Sequence, residues 1–208
     1  DAGTWNVLLP GEETICSRGD PYAFQVMPAA NPDADKLHIH FQGGGACWNL
    51  GMCREDSPRR YFSDVAIDEP YDIATGIMDI DNPDNPFGED YHTVVVGYCT
   101  GDVHVGNRSV TYAASTNEVT IQHMGAVNAA AVLAWTFANF TDPAQVVISG
   151  SSAGAYGAIH HAPFVMDHYA GAPVVMIGDG GVGVIPVGWS VMAQWGLFDT
   201  VPEQYAGY

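Results

Sequence analysis

Four short runs of apolar residues have the length and continuity of buried β-strands. They occupy Lys36–Phe41, Thr93–Tyr98, Gln145–Ser149 and Pro173–Gly178. Continuous apolar runs of this kind are typical of strands whose two faces are both covered, as in a parallel sheet. A shorter strand is predicted at Tyr22–Met27, in an N-terminal region that several prolines interrupt.

Helical patterns alternate with these strands. Residues 122–139 place apolar side chains at helical spacing, and a second helix is predicted at 154–169, with a kink or split at Pro163. A short amphipathic piece follows at Trp189–Phe198. This alternation implies crossover connections. The sequence therefore predicts an α/β fold, a single domain over residues 1–208 whose mostly parallel sheet carries helices on both faces.

Acidic side chains outnumber basic ones by a wide margin. The 208 residues hold 24 Asp and Glu against 6 Lys and Arg, which gives a formal net charge of −18. No basic patch is available to neutralise phosphates, so nucleic acid is a poor partner. Solubility alone explains the surplus; adaptation to salty surroundings, where counterions screen self-repulsion, is the alternative. No apolar run reaches the roughly 20 residues that span a bilayer.

Four cysteines, an even number, suit two disulfides and an oxidising compartment. Four cysteines allow three pairings. The short step from Cys47 to Cys53 favours a local bridge, which would leave Cys16 with Cys99. Four buried thiols are the alternative. The absence of a CxxC pair weakens a zinc interpretation.

The strongest chemical signal is the pentapeptide Gly150–Gly154, which matches G-x-S-x-G with Ser152 at its centre. It lies between a predicted strand and a predicted helix, the setting in which this motif forms a nucleophile elbow. A sharp turn there lifts the serine hydroxyl above the sheet edge, beside the helix N-terminus that favours developing negative charge. The competing interpretation is a glycine-rich turn with a serine N-cap.

A second glycine-rich turn, Gly43–Ala46, directly follows the first buried strand. Acyl transfer creates an oxyanion, and backbone N–H groups must already point at the place where it forms. Glycines allow the backbone to approach that closely. Candidates for an oxyanion hole are Gly44, Gly45 and Ala46, together with Ala153, the residue after the nucleophile.

Three segments resemble the pectin acetylesterase and Notum family of secreted serine esterases. They are HFQGGGACWN at His40–Asn49, YCTGDVHVG at Tyr98–Gly106 and GSSAG at Gly150–Gly154. The resemblance extends from Cys16 to about Gly183 and keeps the order of the motifs. It implies an α/β-hydrolase fold, a Ser–His–Asp triad, no metal or other cofactor, and cleavage of acyl groups from sugars or from lipid-modified protein.

The resemblance also supports a disulfide between Cys47 and Cys53, because the family carries a short bridge just after its glycine loop. Many members have Trp where this chain has Ala46, so the wall of the acyl pocket is expected to differ. The same motifs make Trp48 and His104 candidates for pocket residues. Asp179 and Asp102 are candidates for the triad acid or for a supporting role beside the site.

The catalytic histidine is the missing part of this interpretation. Triad order in this fold is Ser, then Asp or Glu, then His. The histidines after Ser152 are His160, His161 and His168, all on the predicted helix, where His160 would lie about 12 Å along the axis. A base must come within about 3 Å of the hydroxyl. We therefore expect a C-terminally truncated fold, whose last strands lie on a second chain after proteolysis or outside this sequence. A natural half-domain that has lost catalysis is the alternative.

The leading hypothesis is a secreted serine carboxylic ester hydrolase that removes acetyl groups from a polysaccharide through an acyl-enzyme. It would act outside the cell, with the periplasm as an alternative location. A lipid or polyester esterase on the same fold is one alternative, and a non-catalytic structural or binding protein is another. Metal binding by His38 and His40, on one face of a strand, is less favoured than two buried, hydrogen-bonded histidines.

Overall fold

The computed structural model describes residues 1–58, 61–68, 70, 76–80, 82–181 and 189–202. Within these residues the strands are β1 (Asn6–Leu8), β2 (Phe24–Met27), β3 (Lys36–Phe41), β4 (Tyr91–Val96), β5 (Arg108–Ala114), β6 (Asn117–His123), β7 (Gln145–Ser151) and β8 (Val174–Asp179). The helices are α1 (Leu50–Cys53), α2 (Gly125–Asn139), α3 (Ala153–His168), α4 (Trp189–Trp195) and α5 (Leu197–Thr200), with a 3₁₀ turn at Gly76–Met78.

The main sheet has the strand order β1-β2-β4-β3-β7-β8. Strands β4, β3, β7 and β8 run parallel, whereas β1 and β2 are antiparallel additions at one edge. The carboxyl ends of the parallel strands therefore meet at one edge of the sheet, the place where open α/β sheets bind ligands. The predicted α/β class with a mostly parallel sheet is confirmed.

The main core lies between this sheet and helices α2 and α3. Alternate strand residues such as Ile39, Val94 and Ile148 point to it, and Val132 and Val165 meet them from the helices. On the opposite face of the sheet, Val147 is covered by Ile77, Phe87 and Tyr91. Helices α2 and α3 thus share one face, and a segment around residues 77–91 covers part of the other.

Strand β8 ends the strand order, and much of its apolar surface is exposed. The side chains of Val175, Met176 and Ile177 are 48%, 37% and 39% exposed. By contrast, all residues of β3 and β7 except those at the strand ends are buried, because each strand lies between two neighbours in the sheet.

Two details differ from the sequence prediction. The helix predicted from residue 122 begins at Gly125, because β5 and β6 form an unpredicted antiparallel hairpin that ends at His123. Helix α3 runs through Pro163 without a break. Ala158, Ala162 and Val165, on either side of this proline, pack into the main core and hold the helix to the sheet.

Both predicted disulfides are present. Cys16 joins Cys99 over a sequence separation of 83, and Cys47 joins Cys53 over a separation of 6. Loop-closure entropy makes the first worth about 4.5 kcal/mol and the second about 2 kcal/mol. The long bridge ties the N-terminal segment to the end of β4, next to the loop that supports the candidate site.

Candidate active site

Ser152 stands at the turn between β7 and α3 in a backbone conformation that few non-glycine residues adopt. Its φ is 52° and its ψ is −118°, and the residue is exposed. Such strain costs roughly 1–3 kcal/mol and persists only where the surroundings enforce it. This is the geometry of a nucleophile elbow, in which the turn presents the serine side chain above the sheet edge.

The elbow is enforced by glycines on both sides of the serine. A Cβ added at Gly150 would collide with the carbonyl of Gly154, on the first turn of α3. A Cβ added at Gly154 would collide with the carbonyl of Phe41, at the end of β3. Strand, turn and helix therefore approach each other more closely than any side chain allows, which explains the spacing of the motif.

The glycine loop after β3 reaches the elbow directly. A Cβ at Gly43 would collide with the carbonyl of Ser151, and Gly45 has a φ of 81°. Among the described residues, no acceptor is found for the N–H groups of Gly44, Gly45 or Ala153. Ala153 also begins α3, a helix of 16 residues whose N-terminus favours negative charge. Unpaired donors grouped beside an exposed serine are what an oxyanion requires.

Hydrogen bonds fix the shape of the glycine loop. The N–H of Phe62 donates to the Gly44 carbonyl at 2.9 Å, and the Tyr98 hydroxyl donates to the Gly45 carbonyl at 2.7 Å. The N–H of Cys47 donates to the Gly101 carbonyl at 2.9 Å. The carbonyls of Gly44 and Gly45 are thus engaged, whereas the N–H groups of these two glycines have no acceptor among the described residues.

Ser152 opens into a cavity of about 820 Å³. The cavity is lined by the glycine loop, the elbow, the 3₁₀ turn at Gly76–Met78 and the end of β8. Asp179 is exposed on this wall, and its backbone carbonyl accepts the N–H of Ser152 at 2.7 Å. Asp179 thus supports the elbow through its main chain, whereas its carboxylate role stays a prediction.

His38 and His40 meet the Ser149 hydroxyl on the floor of this cavity. His38 Nε2 lies 2.6 Å and His40 Nδ1 lies 2.8 Å from Ser149 Oγ. Burial lowers the pKa of His38 to about 3, with a smaller contribution from His40, and lowers that of His40 to about 4. Both rings are therefore neutral near pH 7. Each ring is hydrogen-bonded to Ser149, so the two histidines and the serine form a hydrogen-bonded network, as the sequence favoured.

Asp102 is fully buried beneath the site. Its carboxylate accepts hydrogen bonds from Thr100 Oγ1 at 2.6 Å, from the N–H of Gly125 at 2.7 Å and from the N–H of His104 at 3.2 Å. Burial raises its pKa, and these hydrogen bonds oppose the shift. Asp102 therefore holds the 98–106 loop against the start of α2.

His104 links the glycine loop to helix α3. It has a φ of 66°, and its Nε2 lies 2.8 Å from the carbonyl of Gln42. His161 Nε2 lies 2.9 Å from the His104 carbonyl. Burial lowers the pKa of His104 to about 4. His104 is not among the residues that line the Ser152 cavity, and neither is Trp48, which packs against the buried clusters that contain Tyr98 and the short disulfide.

The helical histidines are directed elsewhere, as the sequence predicted. His160 lies 3.3 Å from Thr200 Oγ1, and His168 stacks on Phe137. Among the described residues that line the cavity, His40 is the one histidine. Its register partner Ser149 lies three residues before Ser152, about 10 Å along the strand. Within the described chain, no histidine therefore stands beside Ser152 as its base.

One group of side chains has the composition of a metal site. Ligand atoms of Cys47, Cys53 and His123 lie within 4.8 Å of one another. The two sulfurs are joined as a disulfide, and both His123 nitrogens are hydrogen-bonded, to the Thr100 carbonyl and to the Tyr112 hydroxyl. In the oxidised chain these atoms are already engaged.

The comparisons with known proteins agree with this geometry. A profile of the pectinacetylesterase family matches residues 8–187. Among solved structures, the chain is similar to the Wnt deacylase Notum from Drosophila, with a TM-score of 0.66 and 19% sequence identity. The likeness covers 94% of this chain and 61% of the Notum chain, so these 208 residues span about three fifths of that relative's length. No curated protein sequence matches.

At 19% identity, the likeness to Notum shows a shared α/β-hydrolase fold. The family profile is the more specific finding, because its range includes both the glycine loop and the elbow. A match over most of the sequence decides the assignment: the chain belongs to the pectinacetylesterase family.

Proposed function

We propose that the protein is a serine carboxylic ester hydrolase with Ser152 as its nucleophile. The observation that carries the proposal is the strained, exposed Ser152, which lines one cavity together with Gly43 and Gly44. In the adjoining loop and helix start, the N–H groups of Gly44, Gly45 and Ala153 have no acceptor among the described residues. A glycine-rich turn with a serine N-cap would not need this strain. In α3, moreover, the Ser152 side chain makes no capping hydrogen bond.

The proposed reaction is acyl transfer in two steps. Ser152 Oγ attacks the ester carbonyl, and the oxyanion accepts hydrogen bonds from the glycine loop and Ala153. A histidine outside the described residues takes the serine proton and passes it to the leaving alcohol. Water then attacks the acyl-enzyme while the same base takes a proton from it, and the base gives that proton to Ser152 Oγ as the carboxylic acid leaves. An oriented carboxylate completes the triad, and Asp179 is the candidate within this chain.

We propose an O-acetylated polysaccharide as the substrate. Membership of the pectinacetylesterase family supports an acetyl ester on a sugar. The similar Notum structure is that of a Wnt deacylase, whose acyl group is carried by a protein. The cavity walls at Ile77, Met78 and Ile177 are apolar, and they favour longer acyl chains as the second candidate. A series of 4-nitrophenyl esters of increasing chain length separates these two candidates.

Secretion fits the two disulfides, which persist in oxidising compartments. Within the described residues, no helix has the length and hydropathy to cross a membrane. We propose that the protein acts outside the cell or in the periplasm. We also propose that these residues form one catalytic domain, whose remaining triad members come from further polypeptide or from a second chain.

The test is labelling of Ser152 by a fluorophosphonate probe, followed by intact mass measurement of material from the native source under reducing and non-reducing conditions. Wild type should be labelled, and Ser152→Ala should not. Ser151→Ala is the matched control, since the neighbouring serine should be dispensable for labelling. A wild-type protein that takes no label, with a native mass of 22.2 kDa, would favour the non-catalytic alternative.

A further inference from the structure

A second cavity lies directly beside the candidate active site. Its volume is about 770 Å³, and Phe62 lines both this groove and the Ser152 cavity. Each volume is within the roughly 300–1,000 Å³ of ordinary ligand sites. An acetyl group has only three heavy atoms, so the two spaces together are far larger than the ester itself requires.

Phe62 lies at the junction of the two cavities and is unusually exposed for an aromatic residue. Its side chain is 54% exposed, although aromatic rings of this size are commonly buried. The N–H of Phe62 donates to the Gly44 carbonyl at 2.9 Å, which joins its backbone to the glycine loop. A Cβ on Gly44 would come within 2.6 Å of the ring. The sequence thus holds an exposed aromatic face against the glycine loop.

The groove beyond Phe62 has a mixed lining, in which apolar side chains such as Met52, Val65 and Ile67 alternate with charged ones. Arg18 and Arg54 face it, together with Asp20, Glu55 and Asp64. Covering these groups with an acyl chain would remove their water without replacing its hydrogen bonds. Arg18 already donates to the Cys53 carbonyl and Arg54 pairs with Asp56, which leaves the carboxylates of Asp20, Glu55 and Asp64 as the charged groups for a ligand. A sugar offers hydroxyl groups to carboxylates, and its ring presents C–H bonds to an aromatic face. The groove therefore suits a glycan better than a lipid.

We propose that this groove binds the glycosyl units next to the acylated sugar, and that Phe62 stacks on a pyranose ring at the junction. This inference rests on the proposed function, because glycan binding in the groove serves catalysis only if Ser152 cleaves the ester. It makes the enzyme one that recognises a polymer along its chain and distinguishes it from an esterase for small or lipid esters.

The experiment measures saccharide binding to Ser152→Ala protein by titration calorimetry, so that no ester cleavage is involved. The probes are xylohexaose, which is neutral, and hexagalacturonate, which is anionic. Phe62→Ala should lower the association constant about fivefold to tenfold for whichever probe binds. Phe62→Trp should retain binding within about twofold, since it keeps the ring face.

Phe198→Ala is the matched control, because Phe198 is 61% exposed on α5 and lines neither cavity. It should leave affinity unchanged. Equal affinity of the Phe62→Ala protein and its parent would overturn the inference, as would a failure of both hexasaccharides to bind. Neither result touches fluorophosphonate labelling of Ser152, so a failed groove and a failed esterase are distinguishable.

Discussion

Five fully or nearly buried histidines should make this fold sensitive to mild acid. Their side chains are at most 8% exposed. Burial is the largest cause of a lowered pKa in each, to about 3 or 4 in four cases and well below the usual value in the fifth. These residues are His38, His40, His104, His123 and His161.

The magnitude follows from the difference between folded and unfolded pKa values. An unfolded histidine titrates near 6.5, so below that pH the unfolded chain binds more protons than the folded one. Stability is therefore complete above about pH 7 and falls as the pH drops toward 4. At pH 5.5 each of the four histidines with a folded pKa of about 3 or 4 costs about 1.4 kcal/mol, which is about 6 kcal/mol together, and His161 adds to the loss. Asp102, with its raised pKa, works in the opposite direction at lower pH.

A loss of that size is comparable to the whole stability of a small domain, about 5–15 kcal/mol. We expect the urea midpoint to fall steeply between about pH 7.5 and 5.5. Unfolding is monitored by intrinsic fluorescence, at a high and constant salt concentration that screens the repulsion between carboxylates. His161→Gln should make the pH dependence shallower, because glutamine does not titrate, while its amide can still donate to the His104 carbonyl. A free energy of unfolding that changes by less than about 1 kcal/mol over this range would refute the reasoning.

Four further predictions concern single features of the site. Ser152→Gly should raise the free energy of unfolding by about 1 kcal/mol, since glycine accepts the elbow conformation, and should abolish labelling; unchanged thermal stability would contradict it. Gly154→Ala should cost at least about 3 kcal/mol by urea denaturation, because its Cβ meets the Phe41 carbonyl. Asp102→Asn should cost about 2 kcal/mol on the same assay, because an amide cannot accept all the hydrogen bonds that the carboxylate accepts. Replacing both Cys16 and Cys99 by Ser should cost about 4.5 kcal/mol, and a smaller loss than that for the Cys47–Cys53 pair would count against the loop-closure estimate.

Those parts of the fold that rest on local patterns could be predicted. Strand β3 occupies the predicted residues, and α3 begins and ends one residue earlier than predicted. The β5–β6 hairpin was missed because most of its residues are exposed and polar, so neither strand forms an apolar run. Its pairing depends on the turn between Ala114 and Asn117 and on packing beside the short disulfide.

The candidate site also contains some features that local sequence patterns predict and others that they do not. The elbow and the glycine loop follow from a steric requirement that the sequence displays as glycines around Ser152 and after Phe41. The bridging of His38 and His40 by Ser149 depends on the register of β3 against β7, which no local pattern reveals. The position of Phe62 depends on a single hydrogen bond to the glycine loop, from a segment with no regular structure.

The exposed strand β8 has a consequence for handling the protein. A sheet edge with apolar side chains is a template for pairing with another chain, and Val175, Met176 and Ile177 supply such an edge here. The net charge of −18 keeps molecules apart only while the solution leaves that charge unscreened. Added salt should therefore promote self-association of these 208 residues. The same salt that weakens repulsion between carboxylates within one molecule would also allow the β8 edges of two molecules to pair.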